Sequence, residues 1–227
     1  MALSVQVNKR RFPWIRACII VILLALLGLV GWYGYRWYMF GDPLPVSLPV
    51  AATADPRVDE SMVSTQAIKE HTVAPGDPRY LAIPSLGISK ARVFGVGVDK
   101  NGALEAPKNL SDIAWYAKSS TPGSGGVILL DGHNGGITRD GVFAKLGTLK
   151  KGDILEVERG DGKTFRYEVR ENQSMPLEEA NSTGMKMMMQ SAEAGEEALN
   201  VITCDGKWVP RYSQFDRRIM LRAVIVK

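Results

Sequence analysis

The chain has 227 residues, 45 % of them hydrophobic, and its 23 Gly and 12 Pro are about 15 % of the total, so it is neither a low-complexity nor a collagen-like polymer and has room for one medium-sized domain with additions. The formal net charge of +4 is unevenly spread: residues 1–41 hold five cations (Lys9, Arg10, Arg11, Arg16, Arg36) and no acid, which leaves 23 Lys and Arg against 24 Asp and Glu in the remainder. A nucleic-acid-binding domain presents a concentrated basic face, and residues 42–227 have no surplus from which to build one, so nucleic acid is not an expected partner.

Between Arg16 and Arg36 lie 19 uncharged residues, Ala17–Tyr35, dominated by Ile, Val, Leu and Ala. Roughly 20 apolar residues of helix cross a hydrocarbon core about 30 Å thick, so residues 17–38 are expected to form a single transmembrane anchor. Trp14 precedes the run, and Trp32, Tyr33, Tyr35, Trp37 and Tyr38 gather at its end, where interfacial aromatics belong. A cleaved signal peptide would place small residues soon after a shorter apolar run; here the first such stretch, Ala51-Ala52-Thr53-Ala54, comes well beyond it. Four cations precede the span and one follows closely, so the positive-inside rule puts residues 1–16 in the cytoplasm and the C-terminal part outside.

Residues 39–78 read as an extended tether, with Pro43, Pro45, Pro49, Pro56, Pro75 and Pro78 among short polar residues. Proline-rich chain extends at about 3.1 Å per residue, or roughly 120 Å for Gly41 to Pro78. His71 lies in this stretch and reads as solvated.

From Arg79 onward short strand-like runs alternate with turn signals. Arg79–Pro84, Arg92–Val98, the wholly apolar Val127–Leu130 ending at Asp131-Gly132, Leu199–Cys204 and Ile219–Val226 are expected strands. Asp153–Arg159 and Lys163–Arg170 flank Gly160-Asp161-Gly162 and predict a hairpin. Helical pattern is sparse: Val142–Leu146 suits one turn, and Leu177–Ala194 is the better candidate, weakened in the middle by Gly184. Met185, Met187, Met188 and Met189 fit core filling or groove lining rather than a metal site. Many short strands with few helices predict a closed β-barrel or sandwich.

Residues 79–227 contain one cysteine, Cys204, and one histidine, His133. The other cysteine, Cys18, falls at the cytoplasmic end of the span, so a bridge between the two is sterically implausible. A lone external thiol reads as a reactive nucleophile, an intermolecular partner or a buried inert cysteine. Each chemical residue ends an apolar run: Val127 to His133, and Leu199 to Cys204. Strand ends are where a rigid scaffold presents reactive groups. An imidazole or guanidinium favours the thiolate, and a Cys–His pair can attack a carbonyl, form a thioester and protonate the departing amine. Arg217 and Arg218, which introduce the last strand, are the candidates to stabilise an acyl-transfer oxyanion. One Cys and one His fall short of a structural zinc set, and Glu105, Glu156 and Glu158 form no recognisable calcium loop.

These residues resemble the sortases, membrane-anchored cysteine transpeptidases of Gram-positive-type cell envelopes. The resemblance runs from Arg79 to Lys227, through Leu81–Ile88, Trp115-Tyr116, Asp131-Gly132-His133, Phe143 to Gly147, Lys151-Gly152-Asp153, Ile202-Thr203-Cys204 and the Arg-led closing strand. It implies a mainly β fold, an eight-stranded sortase-type barrel with short helices behind one N-terminal transmembrane helix, and a catalytic domain spanning 79–227. It implies Cys204 as nucleophile, His133 as general acid/base and, from the Arg-x-x-x-x-Ala ending, Arg218 as the arginine, with Arg217 left open by one residue of register.

The family cleaves an LPXTG-like signal between Thr and Gly through a thioester and passes the acyl chain to an amine; no cofactor is expected, with a calcium requirement left open. The implied partners are surface proteins or pilins bearing that signal, and a peptidoglycan peptide or pilin lysine as acceptor. Leu44-Pro45-Val46-Ser47-Leu48 looks like such a signal but sits beside the anchor with no hydrophobic tail behind it, and reads as coincidence. A thioester hydrolase and a catalytically silent barrel are the alternatives. An L,D-transpeptidase fits poorly, because Thr203 precedes the cysteine and no second histidine stands nearby.

Overall fold

The computed structural model describes residues 13–46, 58–100 and 102–226; the Lys9–Arg11 flank, the Ala51–Ala54 run, Ser47 and Leu48 of the signal-like stretch, and Pro49 and Pro56 of the tether lie outside the described residues. The chain divides into two units, Met1–Pro49 and Val50–Lys227.

The first unit is built on helix α1 (Pro13–Phe40), which extends the expected span at both ends. Its stretch Trp14–Phe40 is long and apolar enough to cross a bilayer, and none of it is buried within the protein.

In the second unit eight strands close into a barrel: β1 (Pro78–Ile83), β2 (Ile88–Val96), β3 (Ile113–Tyr116), β4 (Val127–Gly132), β5 (Ile154–Arg159), β6 (Thr164–Pro176), β7 (Ala198–Val209) and β8 (Gln214–Ile225). Round the barrel the order is β1-β2-β3-β4-β7-β8-β6-β5, with β5 returning to β1. The β2–β3 and β4–β7 pairs are parallel and the rest antiparallel.

Closure follows from period-2 alternation, which sends every second side chain inward. Leu81 and Ile83, Ile128 and Leu130, Leu155 and Val157, Tyr167 and Val169, Leu199 and Val201, and Ile219 and Leu221 fill one interior core. A smaller cluster (Leu129, Met175, Ala180, Met188, Ile202, Met220) lies on the outer face of β4, β7 and β8. The expected hairpin forms, with the Arg159 N–H donating to the Lys163 carbonyl at 2.8 Å and Gly162 at φ 85°.

Three expectations are corrected. The helix expected over Leu177–Ala194 is α3 (Leu177–Glu179), a π-turn (Ala180–Gly184) and α4 (Met185–Met188), and ends there. The Ser182 and Thr183 hydroxyls donate back to the carbonyls of Glu178 and Glu179, a competition that distorts a helical ladder. Asn200, fully buried on β7, donates to the carbonyls of Met188 and Gln190 and pins the end.

The expected tether, 39–78, also stops short, because residues 58–77 lie on the barrel. Helix α2 (Thr65–Glu70), capped by the Ser64 hydroxyl, is held by the Tyr80 phenol donating to the Ile68 carbonyl. His71 is not a solvated residue: its ring packs against Tyr80 and Phe94, and its Nε2 donates to the Val93 carbonyl at 2.9 Å.

Candidate active site

Strands β4 and β7 run parallel in the register Asp131↔Ile202 and Gly132↔Thr203. One residue further along each strand come His133 and Cys204, so residues some 70 positions apart emerge side by side at one rim. The Thr203 hydroxyl, fully buried, donates to the Gly132 carbonyl at 2.7 Å and ties the two ends together. Gly132 is required by a close approach, since a Cβ there would stand 2.6 Å from the Phe143 ring. The Phe143 N–H in turn donates to the His133 carbonyl at 2.9 Å.

Thr203→Val keeps the shape and β propensity but removes the bond that ties the two strand ends. The expected cost is about 0.5–1.5 kcal/mol, with acylation slowed more than stability is lowered. Urea unfolding alongside single-turnover rates checks this.

His133 is half-buried, and its Nε2 lies 2.7 Å from the Pro107 carbonyl. A carbonyl only accepts, so Nε2 carries the proton and Nδ1 is the open nitrogen of the neutral ring.

Cys204 is half-buried on the outer face, alternating with the inward Val201 and Thr203 side. Directly opposite on β8 stands Arg218, while Arg217 opposes Asp205. Arg218 donates through Nη1 to the carbonyls of Phe215 and Arg217. Arg217 is fastened elsewhere, with Nε on the Ser174 hydroxyl at 2.8 Å and Nη2 on the Ser174 carbonyl at 2.9 Å. Of the two arginines left open by the sequence, Arg218 is the one across from the thiol.

Burial pushes the Cys204 thiol up to about 11; the Arg218 charge pulls the other way, and Asp131 and Asp205 add to the rise. Sequence reasoning missed Asp131. Its only signal is an acid closing the apolar run Ile128-Leu129-Leu130. Alternation puts it on the outer face with Leu129, where burial raises its carboxyl to about 7 against the Gly132 amide and Arg218.

An ionised Asp131 disfavours the Cys204 thiolate, so Asp131→Asn lowers the thiol pKa once the wild-type carboxyl has titrated. Alkylation of Cys204 by iodoacetamide is expected to run about 3- to 10-fold faster in the variant at pH 8. The two rates converge near pH 5.5, where wild-type Asp131 is protonated; a ratio independent of pH excludes the coupling. Because the folded carboxyl titrates above its unfolded value, its stability contribution is complete below about pH 4 and lost as pH rises through 7. The variant is therefore the more stable form in alkali.

On the same outer face the smaller apolar cluster borders a cavity of about 620 Å³ lined by Val98, Leu104, Tyr116, Leu129, Met185 and Met189, with Lys186 and Gln190. Met188 is buried in the cluster, Met185 and Met187 pack on it and Met189 is exposed at the cavity, so the methionine run both fills and lines. Among the described residues no group of three His, Cys, Asp or Glu side chains gathers where a metal ion could sit. Glu105 accepts from the Gly97 amide, Glu156 pairs with Arg166, and Glu158 pairs with Lys90 and Arg79.

A closed eight-stranded barrel whose parallel pair brings a histidine-bearing and a thiol-bearing strand end to one rim defines the class. The sortase domain profile matches residues 81–226, and the chain belongs to the sortase family. It is an enzyme of the sortase type. Two solved structures share the fold. Sortase A from Corynebacterium diphtheriae, as a lid mutant, is 19 % identical with a TM-score of 0.50, over 71 % of this chain and 76 % of that one. Sortase C of Streptococcus pneumoniae, whose structure was described for its catalysis and pilin substrate specificity, is 19 % identical with a TM-score of 0.50, over 78 % and 80 % of the two chains. No curated protein matches the sequence.

Proposed function

We propose that the protein is a membrane-anchored transpeptidase that cleaves an LPXTG-like signal between Thr and Gly and transfers the acyl chain to an amine. The observation that supports this best is the register that sets Cys204 opposite Arg218 and beside the end of the histidine strand. The mainly apolar cavity on that face, with Lys186 and Gln190 in its lining, suits the aliphatic part of such a signal.

In the first half-reaction the Cys204 Sγ, its proton passed to His133 Nδ1, attacks the Thr carbonyl carbon. The carbonyl electron pair moves onto oxygen, and Arg218 stabilises that charge. The C–N bond to Gly then breaks, His133 returns the proton to the leaving amine, and a Cys204 thioester remains. In the second half an amine attacks the thioester carbon, its proton goes to the imidazole, and the thiol is released. A peptidoglycan peptide or a pilin lysine supplies that amine, and surface proteins or pilins carry the signal. Helix α1 anchors the enzyme with its N-terminus in the cytoplasm and the barrel outside.

The full-length protein in detergent micelles, incubated with a pool of LPXTG-like peptides, tests this by intact-mass spectrometry. The expected result is an acyl adduct on Cys204 that discharges to an added amine. Discharge to water at the same rate with and without amine replaces transfer with hydrolysis. No adduct with any peptide, together with a thiol inert to iodoacetamide, sinks the enzymatic reading.

A further inference from the structure

The residues that join the tether to the barrel do more than lead into it. Two loops flank His133. One, between β2 and β3, supplies the Pro107 carbonyl that receives the imidazole Nε2–H; the other continues from His133 itself. Asp59, Glu60 and Ser61 cross both.

On the first loop the Asp59 N–H donates to the Lys108 carbonyl at 2.9 Å, and the Leu110 N–H donates to the Asp59 carbonyl at 3.0 Å. The Asn109 side-chain amide adds bonds to the Asp59 carboxylate at 3.1 Å and the Ser61 carbonyl at 3.0 Å. The strap thus grips the residues just after Pro107. On the second loop the Glu60 carboxylate receives the Ile137 N–H at 2.5 Å, the Thr138 N–H at 2.9 Å and the Thr138 hydroxyl. Arg139 completes the grip, donating to the Glu60 carbonyl at 2.7 Å and the Ser61 carbonyl at 3.0 Å. Gly136 makes the approach feasible, since a Cβ there would stand 2.4 Å from Glu60 Oε1. The Val142 N–H donates to the Leu110 carbonyl at 2.9 Å, so the two gripped loops are also joined to each other.

We propose that this strap belongs to the catalytic apparatus, with Glu60 a positioning residue that fixes the loop behind His133 and, through it, the orientation of the imidazole. Three donors converge on one carboxylate, an arrangement that orders a loop rather than a core, and none of residues 58–64 belongs to either buried cluster. Those same bonds hold the Glu60 carboxyl below the usual range, so the grip persists down to mildly acidic pH. Because the strap contributes no buried apolar side chain, its loss spares the barrel and falls on the geometry of His133. Misplacement of a catalytic group by about 1 Å can cost 10²-fold in rate.

The inference rests on the acid/base role proposed for His133, and the test separates the two. In the full-length protein, Glu60→Ala is expected to lower the single-turnover acylation rate about 10- to 100-fold with KM changed less than about 2-fold. Glu60→Asp, which keeps the carboxylate, recovers most of the loss, and thermal melting stays close to wild type. Amide hydrogen exchange at Ile137 and Thr138 rises in the alanine variant. Faster exchange with unchanged acylation overturns the proposal, as does a change confined to KM.

If the wild-type protein forms no acyl adduct, the functional reading has failed, and ¹⁵N NMR of the His133 ring judges the strap instead. Wild type is expected to hold the Nε2–H form and Glu60→Ala to mix tautomers, with His71→Asn in both proteins to leave one histidine signal. Identical ring shifts in the two overturn the strap.

Discussion

Cys204→Ala is expected to leave a folded barrel that forms no covalent adduct with any sorting-signal peptide, a loss of at least about 10⁴-fold in turnover. The thiol is half-buried at the rim rather than in the interior core, and cysteine packs as a small hydrophobe, so the change in stability is under about 1 kcal/mol. Intact mass and thermal melting, read on the same sample, separate lost chemistry from lost fold. An adduct persisting in the variant would place the nucleophile elsewhere and overturn the mechanism. His133→Ala is the companion: iodoacetamide still labels its Cys204, while peptide acylation and amine transfer both disappear. Normal thioester formation in that variant removes the imidazole from the mechanism.

Arg218→Ala carries the second large effect. Removing a single oxyanion donor costs about 10²- to 10³-fold in kcat, and the loss should appear in kcat far more than in KM, because the charge that Arg218 meets exists only in the transition state. The same variant loses a cation that favours the Cys204 thiolate, so its alkylation slows as well. Arg217→Ala provides the control. Its guanidinium is bound to Ser174 on β6, and the expected effect on turnover is under about 3-fold. An equal loss from Arg217→Ala would mean that the oxyanion forms on the other side of the β7–β8 ladder.

The barrel was legible in the sequence wherever an apolar run had strand length and a turn at its end. Val127–Leu130, Leu199–Cys204 and the pair around Gly160-Asp161-Gly162 all became strands, though β7 runs five residues beyond Cys204 and β6 six beyond Arg170. Strand β3 was not legible as a strand, because four residues, Ile113–Tyr116, are too few to display a period. The long helix was overestimated because Ser182 and Thr183 turn their hydroxyls back on the ladder, which composition does not display.

The candidate site divides the same way. Cys204 and His133 stood out as the only residues of their type in the domain. Arg218 was preferred over Arg217 on the Arg-x-x-x-x-Ala ending, and the β7–β8 register, in which a slip of one residue moves every side chain to the other face, sets Arg218 across from Cys204 and Arg217 across from Asp205. Asp131 and the strap were hidden for different reasons. The acid stood only as the end of an apolar run, and Asp59 to Ser61 act through carboxylates and backbone groups whose partners lie about 50 to 80 positions away, with no periodic trace.

The parallel β4–β7 pair also dictates when the enzyme can exist during its own synthesis. Its histidine strand is complete at Gly132, yet the strand bearing the thiol begins at Ala198, and the arginine arrives only with β8 at Gln214. A ribosome must add 71 residues after His133 to reach Cys204 and 85 to reach Arg218. Until β8 is made Cys204 lacks the guanidinium that stands opposite it. Cys204, Arg218 and the end of the histidine strand therefore come together only when the last strand pairs, and no shorter chain holds the complete site.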